Sequence, residues 1–282
     1  MSEKVKTARL SIISNCCLIA MKVAAGLISG SVSILSEAIH SGMDLLAAVI
    51  AFFSVRLSDT PPDKEHPYGH GKYENVSGVI EAFLIFIAAG WIIYEAVYRI
   101  IAPSPVEKVA IGAAVMAVSA VVNILVSRKL YKVAKKTDSI ALEADALHLK
   151  TDVYTSLGVA VGLLLLWITG WHLLDPLVAI AVALLILWES YKLMKNAFSP
   201  LVDTSLSTEE NQIIREEISR RGFSFHKLRT RKSGSFRFAE LHLEMPENME
   251  LKDVHRICDE IENAIVTRIR NIDISIHVEP VG

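Results

Sequence analysis

From about residue 8 to residue 200 the chain is a near-continuous series of apolar stretches. Six of them reach the length that a helix needs to cross a bilayer, about 20 residues. They run approximately over 8–29, 32–57, 77–101, 107–129, 142–168 and 174–196. Hydrocarbon offers the backbone no water, so a chain that enters it must satisfy its own N–H and C=O groups. Stretches this long do so as helices. A hydrophobic share of 52% over 282 residues agrees with that reading. The 29 basic and 31 acidic residues nearly cancel, which leaves no bulk positive field to argue for nucleic acid. The partner these stretches call for is a lipid bilayer.

Two of the stretches carry the same polar interruption. Ser36-Glu37-Ala38-Ile39-His40 is followed by Asp44, and Ala144-Asp145-Ala146-Leu147-His148 by Asp152. On a helix, HxxxD sets His and Asp on one face, one turn apart. Placing an Asp at a membrane-helix centre costs roughly 2.5–3.5 kcal/mol, so two matched pairs need a purpose. His40 and Asp44 with His148 and Asp152 supply two imidazoles and two carboxylates. That N2O2 set suits a tetrahedral divalent ion, Zn2+ first, with Cd2+, Fe2+, Co2+ and Mn2+ as alternatives. His40 lies about nine residues into its stretch, or roughly 14 Å, near the middle of the membrane.

Basic residues orient the chain. Lys4, Lys6 and Arg9, then Lys64 and Lys72, then Arg128, Lys129, Lys132, Lys135 and Lys136 fall on one side of six spans. The positive-inside rule makes that side cytoplasmic, with both termini. Arg99 and Lys108 are the exceptions. Short turns near Gly30 and Ser31, around Pro103 and around Gly170 are expected to alternate with longer charged connections over 58–76 and 130–141. The first of those connections holds Asp63, His66 and His70, a second group of ligand types, with Gly69 and Gly71 to let them converge. Cys16, Cys17 and Cys258 form no CxxC pair and no disulfide framework. Asn15, Lys22, Glu81, Asn123 and Glu189 interrupt the spans singly and are expected to bond between helices or snorkel.

The apolar character falls away after residue 200. Residues 203–282 read as α-β-β-α-β: a capped helix from Ser207, strands at 225–230 and 236–244, an amphipathic helix at 251–270 and a last strand at 272–278. His226, His242 and His277 fall on the strands and His255 on the second helix, with Glu279 nearby. So small a module buries little core by itself, and a second copy would help it. The division expected is 1–202 and 203–282.

Taken together, HxxxD on the second and fifth helices, the loop Asp63-x-x-His66-Pro-Tyr-Gly-His70-Gly-Lys72 and the C-terminal histidines resemble the cation diffusion facilitator family, in its bacterial zinc- and iron-efflux branch. The resemblance covers nearly the whole chain. It implies a homodimer of six-helix protomers with a cytoplasmic ferredoxin-like domain, exchanging metal for protons by alternating access. By position it implies that His40, Asp44, His148 and Asp152 form the transport site and Asp63, His66 and His70 a loop site. His226, His242, His255, His277 and Glu279 correspond to a binuclear cytoplasmic site, and Lys72 and Asp203 to a charge pair near the dimer interface. The chain departs from some bacterial relatives in having His40 where they have Asp, and Glu279 where a relative has Asp. A bacterial inner membrane is the expected location.

Ligand chemistry adds a counter-ion. Bound His must be neutral and bound Asp ionised, so metal loading expels protons. An unperturbed His titrates near 6.5, within reach of a modest pH difference across a membrane. A membrane metalloenzyme would need an open coordination position and a general base, and the chain has no HExxH. A sensor would bind metal without moving it.

Overall fold

The computed structural model describes residues 2–29, 32–101, 110–171 and 173–281. The turns expected at Gly30 and Ser31 and around Pro103, together with Lys108 and His172, lie outside the described residues. So do the side chains of Glu37, His40, Arg99 and Trp167. The chain divides into two compact units, Met1–Phe198 and Ser199–Gly282.

The first unit consists of six long helices: α1 (Glu3–Ser29), α2 (Val32–Ser58), α3 (Lys72–Ile101), α4 (Ala110–Thr137), α5 (Ile140–Thr169) and α6 (Leu174–Phe198). Among the described residues, four segments are long and apolar enough to cross a membrane: Glu3–Ile28, Ser41–Ser58, Lys72–Tyr98 and Pro176–Val202. In α4 and α5 the charge is gathered at the ends that the 138–139 turn joins. Arg128, Lys129, Lys132, Lys135 and Lys136 crowd the end of α4, and Glu143, Asp145, Lys150 and Asp152 the first half of α5.

α5 touches each of the other five helices, α1 the least. Small residues take up part of its buried surface: Ala141, Ala144 and Ala146 have next to no exposed surface. At Gly158 an added Cβ would come 2.8 Å from Val182 Cγ2 on α6. Small residues of this kind let apolar helices approach closely enough to gain dispersion contacts that lipid tails do not provide. Two clusters follow. One joins Val5, Val55, Leu130, Leu142 and Leu149 across α1, α2, α4 and α5. The other joins Ile85, Ala144, Ile186 and Leu193 across α3, α5 and α6.

The connections differ from expectation in two places. α3 begins at Lys72, so the loop after α2 is shorter than 58–76. More markedly, the charged connection expected over 130–141 is almost wholly helical. α4 runs on to Thr137 and α5 starts at Ile140. Lys and Ala are strong helix formers, and Leu130, Val133 and Ala134 bury one face of the extension. The turn is made by Asp138, at φ 55°, and Ser139, whose Oγ accepts from Leu142 N at 3.4 Å.

A buried carboxylate ties four elements together at this end. Glu74 on α3 has no exposed surface. Lys4 Nζ on α1 donates to its Oε1 at 2.9 Å and Ser58 Oγ at the end of α2 at 2.6 Å, while Ser139 Oγ donates to Oε2. Lys4 also pairs with Asp59 at 2.7 Å. Glu74→Ala is expected to cost about 3 kcal/mol, the lower end for a broken buried pair because Lys4 keeps Asp59. Thermal denaturation of the purified protein in detergent checks this, as a clearly lowered midpoint.

The second unit opens with a 3-10 turn, Ser199–Val202, and continues as α7 (Thr208–Ser219), β1 (Ser224–Ser233), β2 (Phe236–Met245), α8 (Leu251–Arg268) and β3 (Ile272–Pro280). Ser207 and Glu210 close a full capping box on α7. β1 pairs antiparallel with β2, and β3 parallel with β2 on its other side. Alternation sends Ala239, Leu241, Leu243 and Met245 to the face covered by the helices, where they meet Ile214, Ile218, Ile261 and Ile265. Glu217 on α7 receives Arg268 Nη1 at 2.7 Å and Arg221 Nη1 at 3.1 Å. The Arg268 guanidinium first, then Arg221, holds its carboxyl below the usual carboxylate range. A depressed carboxylate adds stability above its unfolded pKa and loses it as pH falls through the folded one. Glu217→Gln is therefore expected to lower the thermal midpoint of this unit at neutral pH and to leave it nearly unchanged in acid below the carboxylate range.

Candidate metal centres

Three groups of His and carboxylate side chains bring their ligand atoms within 4.8 Å of one another among the described residues. Each is built by a different piece of local geometry.

The first lies inside the helical unit. Asp44 comes from α2, and His148 and Asp152 from successive turns of α5. Their side chains are 7% exposed for Asp44 and 14% for His148. His148 Nε2 stands 3.0 Å from Asp44 Oδ1, and Asn123 Nδ2 on α4 donates to Asp152 Oδ2 at 3.3 Å. Among the described residues, His148 Nδ1 is buried with no partner. Ligand atoms around a tetrahedral Zn2+, each about 2.0–2.1 Å from it, stand a little over 3 Å apart. The existing pair is therefore close to the spacing that a bound ion imposes. His40 lies on α2 one turn before Asp44, but its side chain is outside the described residues. Asn123, expected only to bond another helix, holds the Asp152 carboxylate of this group.

The second group is the loop between α2 and α3. Asp63 Oδ1 accepts from the backbone N–H of Glu65 at 2.9 Å and of His66 at 2.7 Å, an Asx-type turn. The His66 N–H is the largest influence holding the Asp63 carboxyl below its usual range. His70 Nε2 lies 3.4 Å from Asp63 Oδ2 and His66 Nδ1 3.6 Å from Oδ1. Gly69 takes φ +79°, which only glycine adopts cheaply, and so turns His70 back towards His66. His70 is buried and its Nδ1 is unpartnered, whereas His66 and Asp63 are exposed.

The third group lies on the open face of the three-stranded sheet. Cross-strand register sets His226 opposite His242 and His242 opposite His277, one histidine per strand on a single rung. The rings of His226 and His242 are 5.2 Å apart and those of His242 and His277 4.7 Å. Glu279, two residues beyond His277, lies on the same face. It reaches His242 Nδ1 at 2.6 Å and His226 Nε2 at 3.1 Å. The His242 ring holds the Glu279 carboxyl below its ordinary range. His277 borders the group, 3.6 Å from Glu279 Oε1. His255 is not brought to it. On α8 it is 77% exposed and faces Asp259 one turn on, at 3.7 Å. Glu244 went unnoticed in the sequence, although it stands two residues after His242 and opposite Glu279; it bonds His226 Nδ1 at 3.1 Å.

Lys72 opens α3, and Asp203 in the second unit pairs with Arg231 at 3.6 Å.

A zinc titration of the purified chain in detergent is expected to lose one class of site in the H226A/H242A double variant. Glu244→Gln, which removes only the outer partner of His226, is expected to weaken the same class by about 10–100-fold.

Residues 8–202 match the family model described as the cation efflux transmembrane domain, and residues 206–281 match the cation efflux protein cytoplasmic domain. A Synechocystis protein named uncharacterized transporter sll1263 is 39% identical over 97% of this chain and 89% of its own length. The cation-efflux pump FieF of Citrobacter koseri is 34% identical over 93% of this chain and 88% of its own. Among solved structures, the metal-bound C-terminal domain of the CzcD transporter from Thermotoga maritima is 28% identical. It covers 27% of this chain and 96% of that one at a TM-score of 0.24. The chain belongs to the cation diffusion facilitator family, and is a multi-pass membrane transporter for cation efflux, with a cytoplasmic dimerisation domain, rather than an enzyme.

Proposed function

We propose that the chain exports a divalent metal ion, Zn2+ before Cd2+, Fe2+, Mn2+ or Co2+, in exchange for protons, by alternating access in a homodimer. The observation that carries this is the convergence of Asp44, His148 and Asp152 from two helices inside the apolar unit. His40 completes the set as the fourth ligand, all six helices cross, and both termini lie in the cytoplasm of a bacterial inner membrane. The site is assembled only while α2 and α5 stay together, so a relative movement of these helices opens or closes it.

The donor set selects the ion. Two imidazoles with two carboxylates disfavour Mg2+ and Ca2+, which take oxygen. Four protein ligands leave no open position for hydrolysis. His148 Nε2 and Asp44 Oδ1 stand 3.0 Å apart, and an ion that takes both atoms displaces any proton held between them. His40 or His148 is then the main proton acceptor on the outer side.

The loop and sheet groups are read as regulatory or structural metal sites. The sheet group is partly open to solvent and carries His277 at its edge. Metal there is expected to stabilise the pairing of two cytoplasmic domains, with His255 available on the surface of α8. Lys72 and Asp203 are proposed to act as a charge pair near that interface.

Proteoliposomes loaded with a zinc-sensitive dye and a pH dye test the reading. Metal uptake is expected to drive opposite proton movement, with Zn2+ competing best against Mn2+, Fe2+ and Cd2+. His148→Ala is expected to lower the flux at least about tenfold and to flatten its pH dependence. Unaltered pH-dependent flux in that variant would sink the proposal.

A further inference from the structure

Two carboxylates outside every metal group are each left with a bare buried oxygen inside the helical unit. Glu81 on α3 and Asp145 on α5 have no exposed surface. Ser77 Oγ donates to Glu81 Oε1 at 2.9 Å, and Ser11 Oγ on α1 donates to Asp145 Oδ1 at 3.1 Å. The second oxygen of each, Glu81 Oε2 and Asp145 Oδ2, is buried without a hydrogen-bond partner among the described residues. The two groups are near enough to act on one another's charge, and the remaining titratable group that acts on both is His148. Of the helices packed around them, α1 presents Ser11, and α6 presents Ser190 to the carbonyl of Ala82 on α3. On α2, Asp44 faces His148, and on α4, Asn123 faces Asp152. No hydrogen bond or ion pair among the described residues brings a Lys or Arg to either carboxylate.

Two ionised carboxylates within reach of each other's charge in a dry interior face both desolvation and mutual repulsion, and the ordinary outcome is a proton held by one of them. A proton on one bare oxygen removes that charge and makes the oxygen a donor. A metal ion fits less well. Three groups of ligand atoms gather within 4.8 Å among the described residues, and neither Glu81 nor Asp145 belongs to one.

We propose that Glu81 and Asp145 form a proton-holding pair, separate from the metal ligands, that carries part of the counter-ion charge. The inference rests on the proton-exchange reading above. Arrival of a divalent ion at Asp44, His148 and Asp152 brings two positive charges close to the pair. The O–H bond of the protonated carboxyl then breaks, its electron pair stays on oxygen, and the proton leaves to water. Departure of the ion restores the unfavourable charge, and a proton from water is taken up again.

The test uses the full chain in weakly buffered detergent solution. ZnCl2 is added, a pH indicator counts the protons released, and bound zinc is measured in parallel. Glu81→Gln and Asp145→Asn are each expected to retain zinc binding but to release about one proton fewer per ion. Infrared difference spectra are expected to show a carboxylic acid band bleaching on zinc addition in the wild type and not in Glu81→Gln. Equal proton counts in wild type and both variants, with no such band, would overturn the proposal. If the neutral variants do not fold, Ser77→Ala serves instead. It removes a donor that favours the ionised form of Glu81, so the pH midpoint of proton release is expected to move up, and an unmoved midpoint overturns the proposal. Wild-type proteoliposomes that move no zinc would overturn the transport reading, while the proton count in detergent still decides the role of the pair.

Discussion

A polar group carried inward by an apolar helix must find its partner inside the protein, and the helical unit is arranged around that requirement. Glu74 draws a lysine and two serines from three other elements onto one carboxylate. Asp44 meets His148, Asp152 meets Asn123, and Asp145 meets Ser11. α5 contributes three of these groups and touches the other five helices, so its small-residue face and its polar face serve the same end. The alanines bring neighbours close, and the closeness lets short side chains such as serine reach the acids.

The three ligand groups are held with different stiffness. The sheet group is set by backbone pairing, because strands stand about 4.7–4.9 Å apart and one histidine sits on the same rung of each. The loop group depends on an Asx turn and a single left-handed glycine, and two of its three side chains are exposed. The helical group is the most easily changed, because its ligands come from two helices with no backbone hydrogen bonds between them. A site that must assemble and come apart is well served by the last of these, and a site that must simply hold an ion by the first.

Much of this was legible in the residues. The period of four within HxxxD and the alternation along β2 each place ligand types on one face, the first seen in the fold at His148 and Asp152 and the second at His242 and Glu244. So do the capped start of α7 and the order of strands and helices after it. The length of α4 was not legible, because lysines that look like a loop by hydropathy are also good helix formers once Leu130 and Val133 have a surface to cover. Glu244 was hidden for a similar reason. Its role depends on which residue stands opposite it on β3, and register across strands is a property of the pairing. His255 shows the limit from the other direction, since an excess of histidines in the second unit does not bring all four to one place within a single chain.

The two-residue link between α4 and α5 has a mechanical consequence. Helices joined by so short a turn, packed along their length and cross-braced by Asn123 on Asp152, travel as one hairpin. α5 cannot swing independently of α4. A motion of α5 that separates His148 from Asp44 carries the lysine-rich end of α4 with it, and a displacement of those lysines becomes an external pointer to the state of the buried site.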